Sequence, residues 1–79
     1  MNKQHWIAIG TVVVLHNMGQ KTFGMICDRE QEKYGLAYTV LTDEHRFEKH
    51  FNIADANMKG IGWKIANDEE IAFRAKYRN

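Results

Sequence analysis

Cysteine is all but missing from these 79 residues, and Cys27 stands alone. No disulfide can form within the chain, and a lone thiol fits a reducing compartment, so a cytoplasmic location is expected. Net charge is nearly missing too, because 11 Lys+Arg against 10 Asp+Glu leave a formal +1. That is no overall footprint for wrapping nucleic acid, although it leaves room for a localised patch. No apolar run approaches the roughly 20 residues of a membrane-spanning helix. The run Trp6 to Leu15, behind Lys3, has the length of a signal h-region but lacks a small-x-small cleavage site, and its β-branching reads as strand. The GxxxxGK[ST] and GxGxxG phosphate loops are absent, and Gly60-Ile61-Gly62 reads as a strand entry.

Catalytic and metal constellations are equally thin. Zinc requires three or four converging N/S ligands, whereas His5 and His16 are scattered and His45 and His50 would face opposite sides of a strand. Asp43, Glu44 and Glu48 near those histidines are the residue types of a general base. On a mixed-charge strand face they read as solvated ion pairs. Cys27 adjoins Asp28, whose charge raises a thiol pKa, and it reads as a small core hydrophobe. No catalytic residue, metal or cofactor is expected.

What is present is strand signal. Ile9 to Arg29 reads as a β-hairpin, with Thr11–Leu15 as the first strand, a turn over 16–21 in which Asn17 and Gly19 supply positive φ, and Thr22–Cys27 as the second strand. Both faces of the first strand are apolar, which predicts burial on both. Gly24 inside a strand predicts a bend or a close backbone approach. Asp28 to Lys33 reads as a charged loop, Tyr34–Thr42 as strand three, Glu44–Phe51 as strand four, 53–58 as one 3₁₀-like turn and Gly60–Ala66 as strand five. The expected core is Val12, Val14, Met25, Leu36, Val40, Phe47, Ile53 and Ile65.

The segment 67–79 carries two signals. Asn67 as N-cap, Glu70 at the capping-box position, an acidic start and Arg74, Lys76 and Arg78 at the end predict a helix, while the alternation of Ile71, Phe73, Ala75 and Tyr77 suits a strand. The caps and end charges favour the helix. If Ile71 and Ala75 dock, Phe73 and Tyr77 remain partly exposed beside Arg74 and Arg78, a combination common among interface anchors.

Five short strands with a single turn before the last resemble the Src-homology-3-like small barrels. Gly10-Thr11-Val12-Val13-Val14, then Gly19, then Phe23-Gly24-Met25-Ile26 are similar to a KOW element over about a quarter of the chain. The resemblance implies a mainly β, five-stranded barrel over 1–66, and with the short C-terminal helix read over 67–79 the length predicts one domain over 1–79. The resemblance also implies contact with nucleic acid or with transcription and translation machinery, for which Lys21, Lys49, Lys59 and Lys64 with Arg74, Lys76 and Arg78 would be the cationic face. Size and architecture are similar as well to the plasmid-borne type II dihydrofolate reductases. Where those enzymes have Val-Gln-Ile-Tyr, this chain reads Arg46-Phe47-Glu48-Lys49-His50-Phe51, so no catalytic residue carries over.

A domain this short retains only about 3–5 kcal/mol from a single core, so self-association or a larger partner is the expected support. Its aromatics exceed what such a core hides. The leading expectation is a non-enzymatic protein-binding module, a small regulator or inhibitor of the kind bacteriophages and mobile elements encode, with Phe73, Tyr77, Arg74 and Arg78 as anchors. The alternative is the nucleic-acid-binding barrel.

Overall fold

In the computed structural model, which describes residues 7–51, 53 and 62–77, the valine run forms β1, Val12–Asn17. Its partner β2 is Gln20–Glu32, and Met18 and Gly19, both at positive φ (51° and 81°), make a two-residue turn between them. Two left-handed residues match the right-handed twist of a hairpin. The turn is thus tighter than the expected 16–21, and Met18 rather than Asn17 adopts the left-handed conformation. Register explains this, because pairing Val14 with Phe23 and Val12 with Met25 fixes Asn17 opposite Gln20. A slip of one residue would turn every side chain to the other face.

The charged segment expected as a loop is strand. β2 continues through Asp28, Arg29, Glu30, Gln31 and Glu32 by pairing with β3, Gly35–Thr42, after a bulge at Cys27 between Ile26 and Asp28. Backbone pairing needs no apolar side chains, so the hydrophobic pattern fell silent where the ladder did not. Next come β4, Phe47–Phe51, and β5, Gly62–Ile65, giving one antiparallel sheet in the order β4-β3-β2-β1-β5. The sheet curls enough to bring His50 of one edge strand to 5.6 Å from Trp63 of the other, ring to ring. No ladder joins β4 to β5 among the described residues, so the architecture is a curled five-stranded sheet. The expected turn over 53–58 lies outside the described residues apart from Ile53, as do Gly60 and Ile61 of the expected fifth strand.

Curling gives the sheet an inner and an outer face, and β1 is covered on both. Val13 packs inward with Ile26, Tyr38, Val40 and Trp63, while Val14 packs outward with Phe23 and Ala66. At Gly24 a β-carbon would stand 2.5 Å from Cγ1 of Val40 and 3.0 Å from the Leu41 carbonyl oxygen. The close approach expected there is present, and it lets Val40 lie flat across β2.

The expected core needs one correction. Val14 and Val40 are fully buried, and Val12, Met25, Leu36, Ile53 and Ile65 are half-buried, but Phe47 is 71% exposed. Register sets this too. Val40 pairs with Glu48 and Tyr38 with His50, so the even-numbered residues of β4 face inward and Phe47, Lys49 and Phe51 face out. The parity is set by the Asp43-Glu44-His45 turn, where His45 takes φ 65° and its N–H donates to Thr42 O at 2.9 Å.

The last element, α1, is Asp68–Tyr77. Its capping box is formed as expected: the Asn67 N–H donates to Glu70 Oε1 at 3.0 Å and the Glu70 N–H donates to Asn67 Oδ1 at 2.8 Å.

Candidate functional site

Three strands converge beneath the first turn of α1. His16 pairs with Lys21 across β1 and β2, and Lys64 pairs with Val14 two residues along β1, so all three share the outer face at one end of the sheet. Glu70 descends onto them and is only 4% exposed, with its carboxylate 2.9 Å from His16 Nε2, 3.4 Å from Lys21 Nζ and 3.7 Å from Lys64 Nζ. Burial alone would raise its pKa. The Asn67 N–H, His16, Lys64 and Lys21 together outweigh burial and hold it below the ordinary value of 4.5.

One turn later Arg74, its side chain 11% exposed, makes a bidentate pair with Asp43 at 2.8 and 3.1 Å. Phe73 stacks on Phe23 with centroids 6.2 Å apart and meets Tyr77 at 4.7 Å with the rings tilted. The helix therefore docks through Glu70, Phe73 and Arg74, while Ile71 and Ala75, the expected docking residues, are exposed. Two charged anchors outcompete a weak apolar stripe. The signal was present as Glu70 and Arg74 spaced four apart, but their partners lie on four different segments and no local pattern names them.

Of the expected anchors, Phe73 is 48% and Tyr77 73% exposed, Arg74 is committed to Asp43, and Arg78 lies outside the described residues. Beside Arg74, a cleft of about 230 Å³ is lined by Met25, Leu41, Thr42, Asp43, His45 and Arg74. That is smaller than the roughly 300–1,000 Å³ of most small-molecule sites. The pairings Met25 with Leu41 and Leu41 with Phe47 carry the apolar row from this cleft to the sheet edge. Phe73, the cleft and Phe47 thus lie on one outer surface.

The expected cationic face is dispersed. Lys21 and Lys64 turn to Glu70, Lys49 is ion-paired with Glu32, and Lys59 lies outside the described residues. The Lys49 hydrogen bond holds the Glu32 carboxyl below its ordinary range, and the same bond raises Lys49. Four of the residues considered for acid–base work, Asp43, Glu44, Glu48 and His50, have structural partners. His50 and Glu48 stand 2.9 Å apart on the inner face, and Asp43 is held by Arg74. Cys27 occupies the bulge, where its thiol donates to Thr39 O at 3.5 Å. Among the described residues no group of three His, Cys, Asp or Glu is placed to hold a metal, and no helix is long and apolar enough to cross a membrane. Comparison with family models, with curated proteins and with solved structures finds no match.

Proposed function

We propose that this protein is a non-enzymatic protein-binding module, a small regulator or inhibitor, that docks its partner on the outer face of the sheet. The carrying observation is the surface running from Tyr77 and Phe73 past the Met25–Leu41 cleft to Phe47, where three large aromatics stand about half exposed or more. A small soluble domain rarely leaves such rings in a connected row, and aromatics ringed by a fixed Arg–Asp pair are the composition of an interface centre. Its partner is a protein surface presenting one apolar side chain to the cleft. We read the curled sheet as a small barrel of the Src-homology-3-like kind, whose short strands supply a rigid platform for such a face.

Capture from the native host, followed by calorimetric titration of the purified partner, tests this. Wild type is expected to bind, and a Phe47→Ala, Tyr77→Ala variant, changed at the two more exposed rings of this row, is expected to lose binding at least tenfold while keeping its cooperative melt. Equal binding by that variant overturns the reading. So does recovery of nucleic acid alone with affinity falling steeply with salt, the behaviour of the KOW-like alternative.

A further inference from the structure

Among the described residues β4 is an edge strand, and its sequence is complementary to itself when reversed. Phe47-Glu48-Lys49-His50-Phe51, laid antiparallel on a second copy about Lys49, sets phenylalanine opposite phenylalanine and glutamate opposite histidine. The backbone supports the same register. The Thr42 N–H donates to Arg46 O at 2.8 Å, so that pair closes the turn as a hydrogen-bonded one. In an antiparallel ladder bonded and non-bonded pairs alternate. The N–H and C=O groups of Phe47, Lys49 and Phe51 therefore point away from β3, and these are the residues a copy centred on Lys49 would bond.

We infer that two copies of this chain pair edge to edge through β4, in two-fold symmetry about Lys49, to form a continuous sheet. The inference goes beyond the docking face of the previous subsection: it shares Phe47 with that face but rests on the backbone edge of β4 and a different partner. On the outer face each Phe47, exposed in the monomer, meets Phe51 of the second copy; on the inner face Glu48 meets His50. Moving the axis to Glu48 or His50 would oppose two carboxylates or two imidazoles and pair fewer residues. A lysine in the middle of an edge strand ordinarily discourages pairing. Here each Lys49 is drawn aside by Glu32 and lies 6.0 Å from the centre of its own Phe51 ring, so its charge is offset before the copies meet. Five paired residues make a small interface, so the dimer is a weak and concentration-dependent one.

Sedimentation across roughly micromolar to millimolar protein reads it. The mass of wild type is expected to climb from the 9.2 kDa of one chain toward twice that value. Lys49→Pro removes the outward N–H while leaving the β3 ladder intact, and is expected to stay monomeric with an unchanged circular-dichroism spectrum. Lys49→Thr, which loses the Glu32 pair and the Phe51 contact but keeps the outward N–H, is expected to dimerise still. Register is tested by charge. His50→Glu is expected to fail to self-associate, and adding Glu48→Lys to it to restore the dimer, because the 48-to-50 alignment then opposes unlike charges whereas an axis at 48 or 50 opposes like ones. A monomeric wild type at every concentration overturns the inference and leaves the edge to a strand of another protein. Dimerisation of Lys49→Pro, or a His50→Glu chain that Glu48→Lys does not rescue, equally overturns it.

Discussion

β1 and α1 attach to the same sheet by opposite means. β1 is apolar on both faces, with Val13 and Val14 fully buried on opposite sides, and its hold is area removed from water. α1 has only Glu70 buried, and its hold is a carboxylate among two lysines and a histidine, an Arg–Asp pair and one aromatic stack. The difference teaches which perturbations each region feels. Lost volume should damage the centre and leave the helix attachment to follow, whereas pH and salt should act first at the helix.

The largest effect is expected from a cavity at the centre. Ile26 is fully buried among Val13, Tyr38, Val40 and Trp63, and Ile26→Ala should cost about 2–5 kcal/mol. That is comparable with the whole stability of so small a domain, so thermal melting should show little or no cooperative transition. A normal melt would mean that the sheet centre is not the source of stability. The next effect is the reverse error, too much volume. Gly24→Ala places a methyl against Val40 Cγ1 and should cost about 1–3 kcal/mol. Val40→Ala in the same chain should then cost less than it does alone, a coupling that urea denaturation of the double-mutant cycle measures.

These central features were the legible ones, because they depend on residues near in sequence. The valine run, the close approach at Gly24 and the Asn67–Glu70 cap are local patterns with local causes. The outward turn of Phe47 was not legible. Phenylalanines at 47 and 51 alternate with charged residues just as an inward-facing pair would, and the choice between faces is made by the register of β3 through a three-residue turn. For the same reason the cluster at Glu70 was hidden. His16, Lys21 and Lys64 converge only once three strands are in register, and the reading of Lys21 and Lys64 as parts of a cationic face did not anticipate a carboxylate beneath the helix.

A smaller effect should follow at that carboxylate. Glu70→Gln retains the cap hydrogen bond but removes the charge, and is expected to cost about 1 kcal/mol, read as partial loss of helical signal with the sheet spectrum retained. The pH dependence has a fixed sign. The pKa of Glu70 is lower folded than unfolded, so its contribution is complete above about pH 4.5 and is lost as pH falls through the folded value. Wild type should therefore lose stability below pH 4.5 more steeply than Glu70→Gln. Parallel acid titrations of the two proteins would assign the helix anchor to some other group.

The smallest effect tests the facing of β4. Were Phe47 part of the core, Phe47→Ala would remove one of its largest side chains and cost about 3–5 kcal/mol. Because Phe47 faces outward and is 71% exposed, the same change should alter stability by no more than about 0.5 kcal/mol in dilute solution. Concentration gives the sharper form of the test. At micromolar protein the melting curves of wild type and Phe47→Ala should overlay, while at millimolar protein wild type should melt higher and the variant should not follow, since Phe47 would then be paired only in the assembled edge. A large loss at low concentration would turn β4 over and place Glu48 and His50 outside. That outcome would also remove Phe47 from the docking row and from the strand pairing, so one substitution bears on the fold and on both proposals.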